Sequence, residues 1–202
     1  QRYRFHLYYY NNYRLDKSRG NSNNQLIETK YKSFFNGRLK MNTTTQMPVN
    51  DRNKVANQNR VADGLSRVLA ETYTLYLKTH NFHWNVTGPM FQPLHSVFEE
   101  QYSQLAEAAD EIAERIRAIG HPAPGSFAEF QTLSSIKEAS GKTKALEMVK
   151  ELLEGHETIS QTANTVVAIA QEYGDEGTAD LMIQRIQEHD KTAWMLRSFL
   201  EN

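Results

Sequence analysis

HNFHWNVTGPMFQPLHSVFEEQYSQLAEAADEIAERIRAIG, residues 80–120, sets the architecture of the whole chain. Phe98, Tyr102, Leu105, Ala109, Ile112, Ile116 and Ile119 recur at alternating steps of four and three. That spacing is the apolar stripe of an amphipathic helix. Thr87-Gly88-Pro89 breaks the chain before it, and Gly120 with Pro122 and Pro124 closes it. Glycine tolerates the left-handed turn past a helix end and proline cannot continue the helix, so both boundaries have a mechanism.

Working outward, Val61, Leu65, Val68, Thr72 and Leu75 give a stripe that runs towards His83 and starts near Asn50. Residues 121–142 form a long connection with a short helix expected around Phe127 to Leu133. A third stripe reads Leu146, Val149, Leu153, His156, Ala163, Val167 and Ala170, ending at Tyr173-Gly174. A fourth reads Met182, Ile186, His189, Ala193, Leu196 and Leu200. No segment has a competing strand period. Four helices with one long middle connection predict an all-α, ferritin-like four-helix bundle over residues 50–202, the connection between helices two and three crossing the bundle.

The same stretch carries the chemistry. His83 and His95 bracket the forced turn, and the second helix presents His95, Glu99, Asp110 and Glu114. At 100° per residue these four fall at roughly 0°, 40°, 60° and 100°, one shared face. The apolar stripe lies to the other side of His95, so these donors point away from their own core. They cannot meet within one chain, because His95 and Glu114 are separated by roughly 28 Å of helix and metal bonds are only about 2 Å long.

Two copies of the helix paired antiparallel about a dyad solve the problem. Opposed residues then have numbers with a constant sum, and His95 with Glu114 and Glu99 with Asp110 both give 209. The small residues Ser103 and Ala106 share that sum and fall at the dyad, where helices can approach closely. With His83 folded back beside His95, the set becomes two imidazoles and up to three carboxylates from two subunits. Such hard nitrogen and oxygen donors suit iron, with zinc or manganese as competitors. The competing reading is a solvated acidic helix face. His156 and His189 fall on apolar stripes and read as core residues, His80 as a neighbour of the site or a surface residue, and His121 as loop.

Composition bounds the alternatives. There is no cysteine, which excludes disulfides and thiolate ligands. No apolar run reaches the roughly 18 residues of a spanning helix, and nothing near the start resembles a signal peptide, so a cytoplasmic protein without a membrane partner is expected. The net charge of −1 is split: residues 1–40 carry nine Lys/Arg against two Asp/Glu (+7), and residues 41–202 carry fourteen against twenty-two (−8). Residues 1–49 read as a basic, coil-like extension. Its Tyr/Arg interleaving suits nucleic acid; the alternative takes Met41 as the natural start and the preceding residues as non-native.

HNFHWNVTGPMFQPLHSVFEE, DEIAERIRAIGHPAPGSF, DEGTADLMIQR and HDKTAWMLRSFLE resemble the DNA-protection-during-starvation (Dps) family over residues 50–202. The resemblance implies a hollow homododecamer and oxidation of Fe(II), mainly by hydrogen peroxide, at sites between two-fold-related subunits, followed by iron storage. It places the ligand histidines on His83 and His95 and the distal carboxylates on Asp110 and Glu114. The remaining ligand, usually Asp in the family, is here Glu99, one methylene longer. Acidic residues lining three-fold pores in the family match Asp175, Glu176 and Asp180, with Gly177 interrupting the run. Trp84 and Trp194 are candidates for taking up stray oxidising equivalents, against the commoner reading as buried bundle tryptophans. DNA binding in the family depends on a basic terminal extension. After Met41 the early basic residues are Arg52, Lys54 and Arg60, so DNA is expected through residues 1–40. A nucleoid-binding protein with incidental iron chemistry is the alternative function, and a metal-free shell the third.

Overall fold

The structure, a computed structural model, describes residues 49–139 and 143–201, with side chains from residue 57. The basic extension 1–40, and most of the stretch to residue 49, lie outside the described residues. The described elements are all helical: α1 (Val49–Asn85), α2 (Phe91–Ala118), the short α3 (Phe127–Leu133), α4 (Ala145–Glu172) and α5 (Glu176–Ser198). A tight turn joins α1 to α2 and another joins α4 to α5. Two helical hairpins result, linked by the crossover that carries α3. α1 packs along α2, α4 along α5, and α1 also lies against α4.

The sequence punctuates these helices locally. Gly88, Gly120 and Gly174 all have positive φ, at 98°, 94° and 71°, a conformation that costs glycine least. Past α2 the amide of His121 donates to the carbonyl of Ile116, the six-to-one bond of a Schellman closure. Arg115 and Arg117 occupy the last turn of α2, where the helix dipole favours cations. Helix α3 begins in a reciprocal capping box between Ser126 and Glu129. The Ser126 hydroxyl, then the Gly125 amide, hold the Glu129 carboxyl below its usual pKa. At the start of α5 the Asp175 carboxylate accepts from the Thr178 amide, satisfying one orphan donor.

The core lies between the hairpins. Leu65, Val68, Leu75 and Phe82 of α1 meet Leu94, Phe98, Ile112 and Ile116 of α2, Leu152 and Ile159 of α4, and Met182 and Leu196 of α5, all fully buried. Burying each such side chain stabilises by about 1.5–3 kcal/mol. Thr72 and Thr79 enter this core by donating their hydroxyls to the carbonyls of Val68 and Leu75. Phe130 of α3 stacks on Tyr73 of α1 at 4.8 Å, which pins the crossover. At Gly155 a side chain of the other hairpin comes close to the α4 backbone. A Cβ built there would lie 2.5 Å from Leu75 Cδ1.

One expected stripe is rotated. In α4 the buried line is Val149, Leu152, His156, Ile159, Ala163, Val166 and Ala170. Leu146 is exposed, and Leu153 and Val167 are half-buried. Adjacent apolar pairs, Leu152/Leu153 and Val166/Val167, fit two phases of the same period, and packing against α1 and α5 selects one.

Candidate metal centre

The α1–α2 turn brings His83 and His95 face to face. Their rings stack at 3.8 Å between centroids with planes 19° apart. Each Nδ1 lies 2.9 Å from the other residue's backbone carbonyl oxygen. A carbonyl can only accept, so both Nδ1 atoms carry the proton and donate. In the neutral rings the lone pairs then sit on the Nε2 atoms. Each ring is thereby fixed in orientation with its Nδ1 committed to the backbone, the condition a histidine metal ligand needs.

Aromatic rings form the wall beside this pair. His80 sits between Trp84 at 4.0 Å and Tyr102 at 4.1 Å, and Tyr102 meets His83 edge-on at 5.2 Å. Partial burial, then the neighbouring His83, lower the His80 pKa. Phe91 covers His95 at 5.0 Å. His80 is thus a ring-stacked neighbour of the site. His121 lies in the loop after α2.

Glu99, Asp110 and Glu114 are exposed along α2. Among the described residues their carboxylates have no hydrogen bond or ion pair. Within one chain no three His, Asp or Glu residues gather into a metal-binding group among the described residues. The histidines are together and the distal carboxylates are elsewhere on the same face. Asp110 borders a groove of about 460 Å³ lined also by Tyr73, Ala106, Ala113 and Phe127. Ser103 and Ala106 are both exposed.

A family model for the ferritin-like domain matches residues 62–202. DNA protection during starvation protein 2 of Bacillus anthracis is 41% identical over 141 residues, covering 70% of this chain and 97% of that protein. This chain belongs to the Dps family of ferritin-like proteins. The crystal structure of a Dps protein from Bacillus brevis superposes with a TM-score of 0.71 at 38% identity, over 72% of this chain and 98% of the other. The Dps structure from Vibrio cholerae, described as belonging to a broad superfamily of ferritin-like diiron-carboxylate proteins, gives 0.70 at 32% identity, over 72% and 92%. Membership of the Dps family carries with it, in general, the iron chemistry of diiron-carboxylate proteins.

One expectation needs revision against the geometry. Trp84 and Trp194 are 61% and 63% exposed in the single chain, so neither is a buried bundle tryptophan. Trp84 projects outward one residue beyond His83, and Trp194 from the outer side of α5. Asp175 has a structural employment: Arg115 pairs with its carboxylate and with the Thr178 hydroxyl. Burial pushes the Asp175 pKa up, but the Thr178 bonds and then Arg115 outweigh it and leave it lowered. Of the acidic residues at this end, Glu176 is exposed and Asp180 accepts from Gln184. Sequence reading also missed the Arg115 clamp. Its one signal is an arginine in the last turn of α2, which alone does not name a partner.

Proposed function

We propose that the protein oxidises Fe(II), with hydrogen peroxide in preference to oxygen, and stores the ferric product inside a hollow homododecamer in the cytoplasm. The observation that carries the reading is the reciprocal anchoring of His83 and His95, which stacks the two rings and leaves each Nε2 uncommitted among the described residues. Glu99 of the same subunit, with Asp110 and Glu114 of a dyad-related subunit, would complete a donor set for iron as substrate. The constant sum of 209 is what supports sharing across the dyad. Carboxylates stabilise the ferric product over the ferrous reactant because they are hard, charged donors. Two Fe(II) each give one electron to one peroxide, its O–O bond breaks, and two hydroxides form, so no hydroxyl radical is released. Asp175, Glu176 and Asp180 would attract Fe(II) at three-fold pores, Asp175 also capping the helix start.

The test follows Fe(II) oxidation under anaerobic conditions with added peroxide and, separately, with oxygen alone. The parent should be faster with peroxide, and His83→Ala and His95→Ala should each lose at least about tenfold of that rate while keeping their helix content. Unchanged rates in both variants would remove the histidine pair from the site.

A second reading, DNA protection, is favoured by the charge split of +7 and −8. On it, residues 1–40 neutralise phosphates, and binding weakens steeply with salt, by about 0.9 log units per log unit for each contact. Full-length protein should retard duplex DNA at low salt, and protein beginning at Met41 should not. Strong retardation by the shorter form at moderate salt would place the DNA surface on the bundle.

A further inference from the structure

The α4–α5 hairpin buries a second pair of histidines that the iron chemistry does not use. His156 and His189 are 3% and 4% exposed, and their Nδ1 atoms lie 2.8 Å apart. One Nδ1 must donate and the other accept, so the pair is bonded only when it holds one proton between the two atoms. The Nε2 of His156 is buried with no partner among the described residues. A buried N–H without an acceptor is costlier than a buried lone pair. His156 therefore donates from Nδ1 and keeps its bare Nε2 in the core.

That arrangement has no room for an additional proton. It would arrive either at His189 Nδ1, where it faces the Nδ1–H of His156 and breaks the bond, or at His156 Nε2, where nothing accepts the new N–H and a cation is placed beside fully buried Leu152 and Ile159. The charged groups around the pair do not compensate. Asp190 favours the charged form of His189, but its carboxylate already accepts from Ser160. Arg185 opposes that form, and is tied to Glu111 of α2. On α4, Glu157 is engaged with Arg197, and Glu151 with buried Lys78 of α1. Glu71, a buried acid on α1, accepts from Ser135.

We propose that the His156–His189 pair is an acid latch, holding α5 against α4 while it carries one shared proton and releasing α5 when a second proton is bound. The release is a property of the bundle and does not depend on the reading of the iron site. Burial first, and then the mutual repulsion of the two rings, hold His156 well below its ordinary pKa. Burial, then Arg185, bring His189 down to about 4 against an opposing Asp190. A histidine whose folded-state pKa lies below its unfolded value takes up its proton on unfolding. The latch is therefore intact above about pH 6.5 and fails as pH falls towards about 4. For His189 alone, the ratio of closed to open molecules should fall by roughly fifty- to a hundredfold between pH 7.5 and 4.5. Most carboxylates still hold their charge over the upper part of that window.

The experiment is amide hydrogen exchange on the assembled protein at pH 7.5 and 5.0, corrected for the intrinsic exchange rate. It compares the parent with His156→Asn/His189→Asn, whose amides retain one donor–acceptor contact and cannot titrate. In the parent, protection across residues 176–198 should fall at least about tenfold more than protection across α2. In the variant the two helices should change together. Equal loss in parent and variant, or undiminished protection of α5 in the parent, overturns the latch. Should the variant fail to fold, parent protein labelled with ¹³C at histidine Cε1 decides alone. Two signals that stay neutral until about pH 5 and then vanish with α5 protection support the latch, and a pair titrating near pH 6.5 in an intact bundle overturns it.

Discussion

Two histidine pairs occupy the two hairpins of this bundle, and they differ in what the second ring nitrogen meets. In the α1–α2 hairpin each Nδ1 donates to a backbone carbonyl across the turn, so both Nε2 atoms remain uncommitted among the described residues. In the α4–α5 hairpin the Nδ1 atoms bond each other, and the His156 Nε2 is sealed in the core. The first pair is closed within the chain at one nitrogen and open at the other. The second pair is closed at Nδ1 in both rings and sealed at the Nε2 of His156. Residue type alone therefore does not make a histidine a ligand; the partner of its other nitrogen does.

The contrast breaks most visibly if the open pair is not completed by a second subunit. His95→Ala and Glu114→Ala subunits should each oxidise Fe(II) about a hundredfold more slowly than the parent. Co-assembled, they should recover part of the rate, because each mixed dyad has one intact end and one doubly damaged end. No recovery in a verified mixed assembly would show that the site is not shared.

The closed hairpin should respond to volume more than to donors. Gly155→Ala puts a methyl group into the place of the Leu75 side chain and should cost about 2 kcal/mol. Gly125→Ala, with nothing within 4 Å of the new Cβ, serves as the control and should leave the thermal midpoint nearly unchanged. Equal midpoints for the two variants would mean that the hairpins have slack.

At the open site, Glu99→Asp should keep iron affinity within about threefold of the parent, while Glu99→Ala should lose about tenfold. Calorimetry with Fe(II) under anaerobic conditions separates the two, and parental affinity in the alanine variant would remove Glu99 from the donor set. The smallest effect is expected at the start of α5, where Asp175→Ala removes a helix cap and should cost about 1 kcal/mol. The Asp175 pKa is lowered from 3.8, so its contribution is present above that value and lost as pH falls below it. The gap between parent and variant should be constant from pH 7 to 5 and close in stronger acid. A gap that widens on acidification would assign Asp175 another role.

The helices and several of their ends were legible because glycine and proline give the boundary a local cause, at Gly88-Pro89, Gly120 and Gly174. The face carrying Glu99, Asp110 and Glu114 was legible because a helical period fixes angles without any knowledge of neighbours. The phase of α4 was not, since Leu152/Leu153 and Val166/Val167 satisfy either choice and tertiary packing decides. Nor was the exposure of Trp84 and Trp194, because aromaticity argues for burial only where another surface is present. The reciprocal bonds of His83 and His95 needed the turn itself: a donor twelve residues from its acceptor leaves no mark in spacing.

The Leu75–Gly155 contact works like a key in a keyway. A leucine methyl lodged where the opposite helix has no side chain stops the two hairpins from sliding past each other along their axes. Alignment of the halves is then set by that key, and the crossover between them is relieved of the task. A tag or peptide inserted between α3 and α4 should therefore leave the alignment of the two hairpins as it is.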